Sequence, residues 1–460
     1  MINPLSLFKN LDIRASLEWV IKRFPLPTII IMILSGLWFY LANYEITSEW
    51  LYRSIVTCIV TFFLSTWLSI LTENTKQQKY TPILTNLLPL IFGGLFYISL
   101  YGIYDANIEI MSYIWLTLSG FIAFVFVAPF LQSYLWKTKE DDIHFYNYFV
   151  IVSWVFLMSI VAGVAILILG FTAIASVTTL FDIREFINEW KLYANWAIIS
   201  FSLIAPLYGL IHLPVKTEYT KSIYAENKFF SFLVRYVATP FIYIYFFILY
   251  AYSIKVLANF SDWPKGIISW MVIGFSTFGY LIYIFSRAYE WDSTMVSIFR
   301  RYFAFLVLPQ VLMLFYAIYL RIAQYDITMN RYFVVVFWLW LTIISLYYVI
   351  SRARFLSFIP ASLLIIILII SVGPWSVYSL PLTRQYDRLV MNLEKANLLQ
   401  NWSIVPLNTA KDISKELSNE IHSGLIYVCD FGDCKLIKEL FKKEVEEATV
   451  KDKAELERYN

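Results

Sequence analysis

Charge is what this 460-residue chain has least of: 15% of its residues are Asp, Glu, Lys or Arg, with three histidines and three cysteines. A soluble globular chain carries roughly 25% charged residues, so a solvated shell around a core of this size is excluded. His144, His212 and His422 are far apart in sequence, which argues against a histidine metal centre or catalytic cluster. There is no Gly-x-x-x-x-Gly-Lys phosphate loop, no Gly-x-Ser-x-Gly elbow and no His-Glu-x-x-His pair, and nothing calls for a cofactor or a metal. The 36 Lys and Arg nearly balance 33 Asp and Glu. They are scattered over short loops, without the basic stripe that tracks a nucleic-acid backbone.

What is abundant is apolar: 60% of residues are hydrophobic and 19% aromatic. Runs of about 18 residues or more, the length that crosses ~30 Å of hydrocarbon, recur along the chain. They predict an all-α polytopic integral membrane protein with about eleven transmembrane helices, at 26–43, 54–71, 82–104, 111–136, 147–178, 193–212, 229–254, 266–286, 302–320, 332–350 and 356–376. The run 147–178 exceeds one perpendicular crossing, so it tilts, bends or leaves the membrane. Its Ser159, Gly163, Ala165, Gly170 and Ala173 allow a neighbouring helix to approach closely. Charges up to Arg23 followed by a spanning run do not read as a cleavable signal.

Four regions follow: an amphipathic cytoplasmic segment over 1–25, helices one to four over 26–136, helices five to eleven over 145–380, and a soluble tail over 381–460. In 1–25, Ile13, Leu17, Val20, Ile21 and Phe24 share a face opposite Arg14, Glu18, Lys22 and Arg23, as in a helix lying on a membrane surface. Residues 180–191 repeat that design. The tail is rich in Lys, Glu and Asp and reads as a small α/β domain. Its expected elements are a helix over 383–399 continuing from the last span, a helix over 411–422 stopped near Gly424, a strand Leu425–Val428 and a helix over 435–447.

With the N-terminus inside, about sixteen Lys and Arg fall in inner segments against about seven in outer loops, the bias that sets topology. Eleven crossings from a cytoplasmic N-terminus leave the tail outside, and the location expected is a bacterial inner membrane. Cys429 and Cys434, spaced as Cys-Asp-Phe-Gly-Asp-Cys, suit a small disulfide loop on an oxidising side, with two unpaired thiols as the alternative.

Inside the spans the clearest ionisable residue is Arg235, which argues against an ion-coupled transporter. Pro309–Gln310 is the main intramembrane irregularity, either a simple kink or a polar site. At the outer interface Lys255, Arg321, Arg331 and Arg384 fall at similar depth to Tyr252, Tyr325, Tyr332, Trp263 and Trp375. Arginine pairs with phosphate or carboxylate in bidentate fashion. The group therefore reads either as an anion site for a lipid phosphate, a carrier-linked glycan or an acidic polymer, or as loop ties through Asp326, Asp387 and Glu394 with an ordinary aromatic belt.

The motifs Tyr319-Leu-Arg-Ile-Ala-Gln-Tyr325, Asn330-Arg-Tyr-Phe333, Gly373-Pro-Trp-Ser376 and Trp263-Pro-Lys-Gly266, in that relative arrangement, make residues of about 225–400 resemble the DUF4153 family of bacterial polytopic membrane proteins. The resemblance implies a membrane location and brings no activity. Members of that family usually carry Gly where this chain has Asp326, which alters the turn after Tyr325. Three functions stay open: a non-enzymatic envelope scaffold, sensor or assembly partner; a transporter or flippase-like carrier of an anionic lipid or envelope precursor; and a membrane enzyme on a lipid-linked substrate, with Asp182, Glu185 or Asp326 as its carboxylate. Membrane lipids are partners in all three.

Overall fold

The computed structural model describes residues 13–44, 49–73, 83–100, 139–181, 188–220, 228–258, 267–351, 355–371, 373–377, 379–400, 403–404, 413–432 and 437. The elements are α1 (Ile13–Arg23), α2 (Pro25–Tyr44), α3 (Glu49–Glu73), α4 (Leu88–Ser99, entered through the π turn Ile83–Leu87), α5 (Lys139–Leu180) and α6 (Glu189–His212). The π turn Leu233–Ala238 then leads into α7 (Thr239–Ala258), followed by α8 (Ile267–Phe285), α9 (Thr294–Tyr325), α10 (Met329–Ile350) and α11 (Phe358–Ile370). The tail holds α12 (Ser379–Lys395), a two-rung antiparallel hairpin of Leu399–Gln400 with Ser403–Ile404, and α13 (Lys415–Gly432).

Among the described residues eight helices are long and apolar enough to cross a membrane. The expected count of eleven is therefore corrected. The runs 82–104 and 356–376 contribute the shorter apolar helices Thr85–Ile98 and Phe358–Ile370, and 111–136 lies outside the described residues. Gly373, at φ +84°, turns the chain just after α11, whereas the π turn Ile83–Leu87 runs into α4 without a break and the residues that follow Leu100 lie outside the described ones.

Prolines explain the π turns. Pro89, Pro206 and Pro240 each follow one by two residues, after Leu87, Ile204 and Ala238. A proline ring clashes with the carbonyl four residues back and supplies no N–H, and widening the preceding turn opens that space. Thr239 reinforces the third, its hydroxyl donating to the Val234 carbonyl at 2.7 Å.

Close packing of α5 on α6 uses the small residues anticipated there. Gly163 faces Phe201 and Ala205, Gly209 faces Ser159, and Gly170 lies flat under the Trp196 indole, whose N–H donates to the Ile166 carbonyl at 2.9 Å. At 42 residues α5 runs roughly 63 Å at 1.5 Å per residue, about twice the hydrocarbon thickness. Its first turns, Phe145 to Val152, enter the main core with α7 to α10.

Side-chain contacts place α1 and the tail at opposite ends of the bundle. Arg23, at the end of α1, pairs with Glu73 at the end of α3 and donates to the Leu213 and Pro214 carbonyls just past α6. Asn147 on α5 donates to the Tyr219 carbonyl, and Asp142 accepts from the Leu356 N–H ahead of α11. At the other end Asn43 pairs with Asn195, Arg53 donates to the Tyr97 carbonyl, and the α9–α10 turn meets α12 and α13.

The tail corrects two further expectations. Its first helix does not continue from the last span, because the Gly373–Ser376 turn intervenes. Leu425–Val428 is not a strand but part of α13, and Gly424 does not stop that helix. The run is rich in strand-forming residues, yet Ile421 and Val428 share a face packed on Leu389 and Leu393 of α12, and tertiary packing overrides such propensities. Gly424 serves close approach: a Cβ there would sit 3.3 Å from Leu389 Cδ1. The described tail is thus a helical hairpin with a minute β rung rather than an α/β domain. The 435–447 helix falls outside the described residues apart from Ile437, and half of the 180–191 segment, residues 182–187, also falls outside.

Candidate functional site

The α9–α10 turn gathers most of the residues that the sequence places at one interface. Tyr325 ends α9, and Asp326 follows with φ +57° and ψ −175°, a region almost reserved for glycine and costing about 1–3 kcal/mol elsewhere. The aspartate side chain offsets that strain locally. Its Oδ1 accepts from the Ile327 N–H at 2.7 Å, and its Oδ2 lies 3.2 Å from an Arg384 nitrogen. Arg331, on the first turn of α10, reaches back to donate to the Tyr325 and Asp326 carbonyls at 3.0 and 2.7 Å, with its guanidinium over the Tyr325 ring. From the tail, Gln385 donates to the Tyr325 and Ile327 carbonyls, and Arg388 contacts the Gln324 carbonyl, the Tyr325 ring and Glu420. Tyr427 of α13 accepts from the Met329 N–H at 2.9 Å.

Tyr332 and Trp375 join one another beside this turn, the Tyr332 hydroxyl donating to the Trp375 carbonyl at 2.6 Å. The Trp375 indole lies over Gly373, donates to the Ile369 carbonyl and stays 54% exposed, as an interfacial anchor does. Arg321, one turn before Tyr325 on α9, has no ion-pair partner among the described residues. Lys255 is not drawn in. The bonds Tyr250–Leu306 and Ser253–Gln310 set the register of α7 against α9, which puts Lys255 level with about residue 312, roughly 13 Å short of Arg321 at 1.5 Å per residue. Trp263, Asp182 and Glu185 lie outside the described residues.

Pro309 sits inside an uninterrupted α9. Gln310, only 1% exposed, accepts from Ser253 at 3.1 Å, while the Tyr250 hydroxyl donates to Leu306 one turn back. This polar node is closed and satisfied at mid-helix.

A second constellation escaped the sequence reading, at the end of the bundle near α1. Arg300 on α9 is 5% exposed, and Asp142 at the start of α5 is 9% exposed. Glu290, just after α8, accepts from Arg287 at 2.7 Å and from Arg300 at 3.0 Å through the same oxygen. Arg300 also donates to the Tyr283 carbonyl and stacks on the Tyr283 ring at 4.2 Å. Asp142 accepts from the Leu356 N–H at 2.7 Å and lies 3.8 Å from Arg287. Two arginines and two carboxylates therefore tie α5, α8, α9 and the segment before α11 into one neutral knot. The sequence offered the i, i+3 pair Arg287–Glu290 as a signal. Its link to Arg300, ten residues on, needs the chain reversal between α8 and α9. Arg235, singled out as an intramembrane charge, is a third tie: it pairs with Asp292 at 2.9 Å and lies over Tyr289.

Among the described residues no group of His, Cys, Asp and Glu could hold a metal. Cys58 is a free thiol in α3. Cys429 lies on α13 beside the small tail core, whereas Cys434 lies outside the described residues, so the bridge expected between them is not described.

Stacked apolar helices with ionic ties at their ends and a docked helical tail define a multi-pass membrane protein. The chain belongs to the family described as "Domain of unknown function (DUF4153)", whose model matches residues 29–381. It is also similar to an uncharacterised protein of Pasteurella multocida (strain Pm70), 23% identical over 405 residues. That alignment takes in 87% of this chain and 64% of the relative, so the chain spans under two thirds of the relative's length. No solved structure matches it.

Arg300→Met leaves Glu290 without one of its two cations inside the bundle. It is expected to cost about 3–5 kcal/mol, most of it recovered in Arg300→Met with Glu290→Gln, as read from denaturant unfolding in detergent. At the turn, Asp326→Ala keeps the strained backbone and loses both side-chain contacts, whereas Asp326→Gly relieves the strain. The glycine variant should melt higher than the alanine variant by about 1 kcal/mol equivalent, and equal melting would refute the strain.

Proposed function

We propose that this protein is a non-enzymatic scaffold or assembly partner of the bacterial cell envelope, a bundle that holds its C-terminal helical hairpin rigidly at one membrane face. The observation that carries this reading is where the guanidinium groups go. From the tail, Arg384 is bonded to Asp326 and Arg388 to the Gln324 carbonyl, so these two clasp the tail to the bundle, while Arg331 is bonded to the carbonyls of its own turn and Arg388 also to Glu420. Asp326, the described one of the three carboxylates named for an enzymatic reading, is engaged on both oxygens by Arg384 and Ile327. The closed Ser253–Gln310 node likewise favours a filled bundle over a conduit.

A second reading, a carrier or binder of an anionic lipid or envelope precursor, rests on Arg321 and on the excess of arginine over acid at this turn. Four arginines, at 321, 331, 384 and 388, face Asp326 and Glu420. The two readings separate in one experiment. Under the clasp, Arg384→Ala with Arg388→Ala exposes the 371–379 connection to limited proteolysis in nanodiscs, raising the cleavage rate about tenfold, the change that follows from losing about 1.4 kcal/mol of docking. If the tail instead stays protected while native mass spectrometry shows loss of bound phosphatidylglycerol, the carrier reading replaces the scaffold.

The proposed setting is the inner membrane with the N-terminus in the cytoplasm and the tail outside, supported by the lysine and arginine bias and by α1 and the tail lying at opposite bundle ends. A Cys429–Cys434 bridge belongs to the same proposal, since a tail with so small a core gains from a covalent tie. A membrane-impermeant maleimide applied to intact cells should label these cysteines only after reductant. Labelling without reductant removes the bridge, and labelling only after lysis reverses the sidedness.

A further inference from the structure

Between α2, α3 and α6 lies a groove of about 430 Å³ whose lining includes Ile31, Trp38, Phe62, Ala197, Phe201 and Ser202. Its origin is local. The π turn Ile199–Ile204 falls in one wall, the small side chains of Ala197 and Ser202 leave the floor recessed, and a side chain added at the neighbouring Gly36 would meet nothing within 4 Å. The one pair of hydroxyls on the floor is mutually satisfied, Ser35 to Ser202 at 3.0 Å, so the floor presents methylene and aromatic surface rather than open hydrogen-bonding groups.

Depth identifies the occupant. Ile31 and Trp38 each lie six residues from an end of α2 (Pro25–Tyr44), roughly 9 Å inward at 1.5 Å per residue. The groove is therefore centred in the span, away from either headgroup layer. It opens outward rather than into the bundle, since Trp38 and Phe201 on its walls are 36% and 42% exposed. We propose that the groove seats the distal half of a phospholipid acyl chain. Lipid tails are as apolar as leucine, so no hydrophobic gain drives this. The selectivity comes from van der Waals contact on three sides instead of one.

The test uses the full chain in nanodiscs containing phosphatidylethanolamine with a photoactivatable diazirine at the end of one acyl chain, and in parallel the same lipid with the diazirine beside the ester carbonyl. Adducts of the terminal probe on Trp38, Ile198 and Phe201 should exceed those on Phe305 and Leu312, ordinary exposed positions of α9, by about fivefold, corresponding to a preference near 1 kcal/mol. The carbonyl-proximal probe should show no such excess. Ala197→Phe and, separately, Ser202→Leu fill opposite ends of the floor and should each abolish the excess while leaving labelling of α9 unchanged. Equal labelling of groove and α9, an excess with both probes, or an excess that survives both filling variants would overturn the proposal. So would the absence of lipid adducts in the groove together with covalent dimers formed on irradiation when a photo-crosslinking residue replaces Trp38, which would assign the groove to a second copy of the chain.

Discussion

A guanidinium enclosed among apolar helices must be neutralised and hydrogen-bonded by the protein itself, because burial strips it of most of its water. Arg300 imposes that requirement here. Its partners are Glu290, the Tyr283 carbonyl and the Tyr283 ring face, and meeting them fixes the end of α8 against the start of α9. Glu290 in turn holds Arg287, which faces Asp142, and Asp142 holds the backbone ahead of α11. One buried cation thus organises four chain segments that are far apart in sequence. Breaking any member leaves a charge uncompensated rather than a contact merely lost, which is why such a knot acts as a unit.

The backbone obeys the same rule. Each proline that would orphan a carbonyl in an apolar helix at residues 89, 206 and 240 is preceded by a π turn, and Pro309 is accommodated in a helix whose adjacent polar side chain, Gln310, is tied to Ser253. The π turn before Pro206 does more than spare a carbonyl. It also contributes Phe201 and Ser202 to the lining of the lateral groove. A local repair of hydrogen bonding thereby coincides with the surface proposed to seat an acyl chain.

The spans were legible because a twenty-residue apolar run has few alternatives in a chain so poor in charge. The small-residue seam on α5 was legible for a similar reason, since Gly163 and Gly170 fall on one face and leave little but close packing as an explanation. Length was harder to read. The runs 82–104 and 356–376 are uncharged throughout, yet the helix described in the first ends at Ser99 and the left-handed Gly373 turns the chain after the helix in the second. The strand expected at Leu425–Val428 failed because its apolar residues also satisfy helical spacing, and Leu389 offered a helical face to pack on. The outer cluster was visible as residues at common depth, but depth says nothing of azimuth. Arg331 and Arg384 meet at Asp326 while Lys255 stands apart. The inner knot was missed because Asp142, Arg287 and Glu290 look like ordinary loop charges until α5 and α9 are seen to begin well before their apolar runs.

α9 joins these features into one argument about what the bundle does. It carries Arg300 in the knot at one end, Gln310 tied to α7 at its middle, and Asp326 in the clasp at the other end. A helix that moved to pass cargo would have to release all three in turn, and the knot is the costliest because Arg300 and Asp142 are both nearly inaccessible. The strained Asp326 points the same way. Glycine would make that turn without backbone cost, so an aspartate there is intelligible only if its carboxylate does something glycine cannot, and what it does in this structure is hold Arg384 of the tail. Strain accepted for the sake of docking the helical hairpin suits the proposed role, in which that hairpin is presented in a fixed position.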